Sequence, residues 1–250
     1  MDFLILFTVT EGLKVIEKII QVENGEIRVR AYIPDPQENE VDGFPLLVWM
    51  FGGGFVLGSI DSDDSLLRTL AVNSRIVCVA DDYRRAPEHP FPAAALNNAS
   101  EVSVNISKGI IVGGISSGGN LAAVLAHKSL KDPELKGKVT GQLLVIPKLI
   151  APQAMSGKVS MENRYKSELL SFDKDEDPYF LTKSQSITFS EAYHGGLQAN
   201  NPEVSPILSD SFEGLPPAYI QISGLDILRD EAFLYERLLK EAEVPTRVDV

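Results

Sequence analysis

Residues 109–126 read GIIVGGISSGGNLAAVLA. The first third is an apolar, β-prone run, and the last third sets Leu121, Val124 and Leu125 on one face at helical spacing. Between them stands Gly114-Ile115-Ser116-Ser117-Gly118, a G-x-S-x-G pattern. A serine on a sharp turn from strand to helix takes a strained backbone conformation, and its neighbours have to be small so that strand and helix can approach. Such a turn lifts the hydroxyl above the sheet edge and aims backbone N–H groups where a helix N-terminus stabilises negative charge. By pattern alone, a glycine-rich turn with an incidental serine reads the same way. The surroundings have to decide.

Working outward, residues 44–50 (FPLLVWM), 76–80, 142–146 and 218–223 are further short, continuous apolar runs, as expected of strands covered on both faces. Residues 246–250, TRVDV, read as the last strand, within which the chain ends. Leu228, Ala232, Tyr235, Leu239 and Ala242 form a second helical face. Strands alternating with helices imply an α/β fold with a mostly parallel central sheet and helices on both faces. At the start, Asn24-Gly25 lies between two β-prone runs in QVENGEIRVRAYI and predicts a tight hairpin.

Two stretches break the rhythm. Residues 152–201 are polar, include DKDED, and carry two candidate short helices at about 161–170 and 182–193. That is too long for a simple crossover, so a cap-like excursion over the sheet is expected, within a single domain 1–250. Residues 93–108 occupy a place where a crossover normally needs a helix. There Asn97, Asn98 and the alternation Val102, Val104, Ile106 favour extended chain instead.

The composition of the 250 residues is that of a globular protein, with 44% hydrophobic and 23% charged residues. A net charge of -12 repels nucleic acid and anionic membranes, so neither is expected as a partner. Residues 3–9 are apolar but have no basic residue before them and no small-residue cleavage site, and no run approaches the ~20 residues of a membrane span. A cytoplasmic protein is expected. The lone cysteine, Cys78, sits in the apolar run RIVCVA and reads as a buried strand residue.

The second chemical signal is Met50-Phe51-Gly52-Gly53-Gly54-Phe55, directly after the strand FPLLVWM. Three glycines in a row present bare backbone amides. In acyl transfer such amides hold the oxygen that becomes negative in the tetrahedral intermediate. Gly53 and Gly54 are the expected donors, with the amide of Ser117 as the third.

Four segments, WMFGGGFVLGS, DDYRRAPEHPFPAA, GGISSGGNLAAVLA and SGLDILRDEA, together resemble the hormone-sensitive-lipase family of α/β-hydrolases, in that family's order. The resemblance implies hydrolysis of short- to medium-chain carboxylic esters through an acyl-enzyme by a serine, histidine and acid triad, with no cofactor and no metal. It makes Ser116 the nucleophile and Asp226, after the strand AYIQIS, the acid. Asp230 is the competitor, but its place at the start of a helix suits capping or offsetting the helix dipole. Oligomeric state and substrate preference are not legible.

The chain departs from the family pattern in three ways. No histidine follows Asp226; the three present are His89, His127 and His194. His194 alone could approach Ser116, and a base also needs an orienting acid. Loss of a triad histidine costs ~10⁶ in kcat in a well-studied serine protease, so an impaired, shortened chain is expected. Phe51 stands where the family usually has histidine, which would leave the glycine loop less well organised. Residues 93–108 look about a helix short. The alternative is a non-catalytic pocket for a small hydrophobic ligand, the use to which the family's plant gibberellin receptor puts it.

Overall fold

The computed structural model describes residues 9–22, 25–38, 40, 42–92, 105–156, 165, 167–174, 181–195 and 198–250. Eight strands form one sheet: β1 (Leu13–Val22), β2 (Gly25–Pro34), β3 (Leu46–Met50), β4 (Val77–Asp81), β5 (Ile110–Ile115), β6 (Val139–Val145), β7 (Ala218–Gln221) and β8 (Thr246–Asp249). Their order is β1-β2-β4-β3-β5-β6-β7-β8. β1 and β2 pair antiparallel, with Val22 opposite Gly25, so the hairpin forms where it was expected. Asn24 itself lies outside the described residues. β2 also runs antiparallel to β4, and every pairing from β4 through β8 is parallel.

The apolar runs become strands because both faces of the sheet are covered. Helix α1 (Asp64–Ser74) packs on one face, where its Leu67 and Ala71 join Leu47, Trp49, Cys78 and Ala80. On the other face lie α2 (Ser117–Ser129) and a C-terminal helix over Arg229–Glu241, whose Ala122, Ala126, Tyr235 and Leu239 share a core with Val79, Val112, Leu144 and Ile220. Cys78 is buried in β4, and burial pushes its thiol up to about 12.

The excursion contains α3 (Pro152–Ser156) and α4 (Lys183–His194); the C-terminal helix is α5. α4 is the helix expected at about 182–193. Its start is a capping box: the Thr182 hydroxyl accepts from the Gln185 N–H while the Gln185 side chain accepts from the Thr182 N–H. Half of the helix expected at about 161–170 lies outside the described residues, and residues 167–170, which are described, form a turn and irregular chain rather than helix; residues 93–104 of the shortened crossover also lie outside the described residues. Ile106–Lys108, expected extended, instead forms a 3₁₀ turn, because the Asn105 side chain caps it by accepting from the Ser107 N–H.

Candidate active site

The central parallel strands all point their C-terminal ends at one edge of the sheet, where open α/β sheets bind ligands. β3 is followed there by Gly53 and Gly54, β5 by Ser116, β6 by Ile146 and Lys148, and β7 by Asp226 and Leu228. These residues, with Ser186, Phe189 and Ser190 of α4, line one cavity of about 210 Å³. Four of the five expected site residues therefore meet in it. The fifth, Ser117, is fully buried beside Ser116 as the first residue of α2.

Ser116 has φ 55° and ψ -113°, left-handed φ space that a non-glycine residue occupies only when its surroundings impose it. Three backbone bonds hold it. Its N–H donates to the Val145 carbonyl at 2.9 Å, and its carbonyl accepts from Asn120 at 3.1 Å and Lys148 at 3.0 Å. The flanking glycines are required by contact. A Cβ on Gly118 would lie 2.0 Å from the Met50 carbonyl oxygen, and one on Gly114 2.4 Å from the same atom. The ends of β3 and β5 and the start of α2 thus close onto one another, and the serine is the residue left facing outward.

The glycine loop is equally confined. Gly53 (φ 135°) and Gly54 (φ 63°) adopt backbone conformations that side chains disfavour, and a Cβ on Gly54 would meet the Phe189 ring at 2.4 Å. The Gly53 carbonyl accepts from Val56 and Leu57, closing a tight turn. Among the described residues, the N–H groups of Gly53, Gly54 and Ser117 donate to no protein acceptor. Idle donors beside a strained serine form an arrangement able to hold an oxyanion.

Asp226 is buried, and its Oδ1 accepts from the Leu228 N–H at 2.9 Å. Burial raises its pKa, against the opposing pull of that N–H and of the Lys148 ammonium. Asp230 does not line the cavity. Its carboxylate accepts from the Ser171 N–H at 2.6 Å and from Arg229 at 2.8 Å, tying α5 to the excursion.

A family profile described as alpha/beta hydrolase fold matches residues 47–250. The chain belongs to the hormone-sensitive-lipase type of α/β-hydrolases. It is 31% identical over 249 residues to Esterase LipI of Mycobacterium tuberculosis, covering 94% of this chain and 72% of the relative. Carboxylesterase NlhH of the same organism is 34% identical over 233 residues, covering 88% and 67%. Among solved structures, a vibralactone cyclase superposes with a TM-score of 0.87 at 32% identity, covering 96% of this chain and 71% of that one. The hyperthermophilic esterase of the archaeon Pyrobaculum calidifontis superposes with a TM-score of 0.78 at 34% identity, covering 94% and 75%.

Within this α/β-hydrolase frame, Phe51 does not loosen the glycine loop as expected. It is buried and stacked on Tyr83, with ring centroids 4.2 Å apart, and the Tyr83 hydroxyl donates to the Phe51 carbonyl at 3.0 Å. The next aromatic, Phe55, stacks on Tyr193 of α4 at 3.9 Å. Packing supplies the anchor that hydrogen bonding from a histidine would give.

The three histidines lie elsewhere, since none lines the cavity among the described residues. His89 sits exposed in a loop. His127 is on α2, its ring edge-on to Phe212 and near Tyr235, and burial pushes it down to about 4. His194 ends α4, buried, with its pKa lowered first by burial and then by the Lys148 ammonium.

The sequence reading missed Lys148 and Ser186. Lys148 is 5% exposed, its Nζ donates to the Ile150 carbonyl at 3.0 Å, and Glu231 and Asp226 attract it. Burial lowers the pKa of the Lys148 amine and raises that of the buried Glu231 carboxyl. The Ser186 hydroxyl is buried, lines the cavity and has no hydrogen-bonding partner among the described residues. For Lys148 the signal was its place just past the end of β6, at the edge where the site forms. Ser186 gave none.

Proposed function

We propose that the cavity is a serine-hydrolase site for short- to medium-chain carboxylic esters. Ser116 Oγ attacks the ester carbonyl carbon, and the Gly53, Gly54 and Ser117 N–H groups receive the resulting oxyanion. The Ser116 proton passes to water, the C–O bond to the alcohol then breaks as its oxygen takes a proton from water, and a second water cleaves the acyl-enzyme. Asp226 is the acid whose part in such a triad is to orient an imidazole and stabilise its charge. The observation that carries the reading is the meeting of a strained Ser116 with unengaged amides of the glycine loop at one cavity.

With no imidazole among the described residues that line the cavity, this chain is proposed to turn esters over slowly, through the oxyanion donors and binding alone. Free imidazole tests this. Hydrolysis of p-nitrophenyl butyrate is expected to rise with added imidazole above the rate of imidazole alone in the chain carrying Ser116, and to match the rate of imidazole alone in Ser116→Ala. An equal response in both proteins contradicts the proposal. The second reading, a non-catalytic binding pocket, is favoured by the unpartnered Ser186 hydroxyl in the same cavity. It expects small hydrophobic acids or esters to raise the melting temperature with no imidazole response beyond that of imidazole alone; no stabilisation across a broad ligand library removes it.

A further inference from the structure

We propose that Tyr83 is a positioning residue that locks the amides of the glycine loop and of Ser117 into one oxyanion site. This rests on the serine-hydrolase reading of the Ser116 cavity. Tyr83 itself does not line that cavity and acts through the backbone.

The proposed donors come from two elements. Gly53 and Gly54 follow β3, whereas Ser117 opens α2. One oxyanion receives all three only if loop and helix keep a fixed register, since a misplacement of about 1 Å costs much of the effect. A run of glycines has no side chains with which to anchor itself. The anchor has to act on the residue before the run, Phe51.

Tyr83, two residues past the end of β4, is buried between the two elements. Its hydroxyl donates to the Phe51 carbonyl at 3.0 Å, and its ring stacks on Phe51 with the planes 13° apart. Bond and stack together fix the plane of the Phe51–Gly52 peptide, from which the Gly53 and Gly54 amides follow. With its one proton given to Phe51, the Tyr83 oxygen remains an acceptor. The Ser117 Oγ stands 3.5 Å from it, at the outer limit of a hydrogen bond. The Phe51 carbonyl oxygen would also lie 2.6 Å from a Cβ on Gly118, so loop and helix meet at this point. Burial raises the Tyr83 pKa, which keeps the gripping proton in place throughout the neutral range. One phenol oxygen thus contacts both carriers of the proposed donors.

Tyr235 offers the comparison. It too is fully buried, its hydroxyl donates to Gln142 Oε1 at 3.3 Å, and it lies away from the Ser116 cavity. Removing its hydroxyl costs a buried hydrogen bond without touching the loop.

The test compares Tyr83→Phe, Ser117→Ala, their double variant and Tyr235→Phe in the full chain. Tyr83→Phe keeps the ring stack and loses only the hydroxyl. Its imidazole-stimulated, Ser116-dependent hydrolysis of p-nitrophenyl butyrate is expected to lose about 10–10²-fold in kcat with KM unchanged. Tyr235→Phe is expected to change neither. Ser117→Ala, which keeps the backbone amide, is expected to lose less, and the double variant no more than Tyr83→Phe alone. Amide exchange reads the same coupling without turnover. The Val56 and Leu57 N–H groups donate to the Gly53 carbonyl at 3.1 and 2.8 Å. They are expected to exchange about fivefold faster in Tyr83→Phe, as for loss of one buried hydrogen bond, and to quicken in Ser117→Ala, with β6 unchanged in both. A parent chain with no Ser116-dependent rate sinks the ester reading alone and leaves these two amides to decide whether Tyr83 holds the loop. The proposal is overturned by unchanged exchange at Val56 and Leu57 in Tyr83→Phe, by a loss confined to KM, by an equal kcat loss in Tyr235→Phe, or by a double variant whose loss is the product of the single ones.

Discussion

A methyl group on Gly118 would stand 2.0 Å from a backbone oxygen of β3, and no rotamer change can relieve a backbone clash. Gly118→Ala is therefore expected to destabilise the fold by about 1–3 kcal/mol, the usual cost of overpacking, read as a lower urea midpoint at unchanged slope. Gly54→Ala presses on the Phe189 side chain and on a left-handed backbone instead. Its main effect is expected in the Ser116-dependent, imidazole-stimulated rate, which should fall about 10²-fold, as when one oxyanion donor is lost. These positions were legible because the backbone dictates the residue type. Tyr83, Lys148 and Ser186 were not, since what makes them matter is a neighbour distant in sequence: the Phe51 carbonyl for Tyr83, Glu231 for Lys148, the cavity wall for Ser186.

At the scale of elements, continuous apolar runs located β3 to β7 because a sheet covered on both faces needs no alternation, whereas β8, TRVD, was placed by its position after the last helix. α1 went unrecognised although Leu67, Leu70, Ala71 and Ser74 recur at helical spacing, since Thr69, Val72 and Asn73 weaken its propensity. Only its packing over Trp49 and Cys78 makes it secure. α4 was expected at about 182–193 without its capping box being recognised, and that box holds the helix that walls the Ser116 cavity. Thr182→Ala is expected to cost about 0.5–2 kcal/mol of local stability, the usual loss for an N-cap. Amide hydrogen exchange in the first turns of α4 should quicken while exchange in β5 and β6 stays unchanged.

For the molecule as a whole, a mostly parallel sheet and a site at one of its edges follow from the alternation of strands and helices, the order β1-β2-β4-β3-β5-β6-β7-β8 does not, and charge said little beyond excluding nucleic acid as an expected partner. One consequence of folding was invisible in the sequence. Burial pushes the Asp81 carboxyl, at the end of β4, up to about 7, with Asp82 adding to the rise. Its Oδ1 has no hydrogen-bonding partner among the described residues. The folded state then holds a proton that the unfolded chain has lost above its ordinary value of 3.8, so this group's contribution to stability falls as pH rises from about 4 to about 7 and is flat above. Asp81→Asn is expected to melt above the parent at pH 8 and close to it at pH 4, in paired thermal scans.

The most direct measurement is intact-mass and peptide mapping after incubation with a small alkyl fluorophosphonate in the presence of imidazole. One adduct on the peptide containing Ser116, absent from Ser116→Ala and slowed in Gly54→Ala, is the result expected of a nucleophile facing the glycine-loop amides. An unmodified chain, or an adduct that persists after Ser116 is replaced, would contradict it.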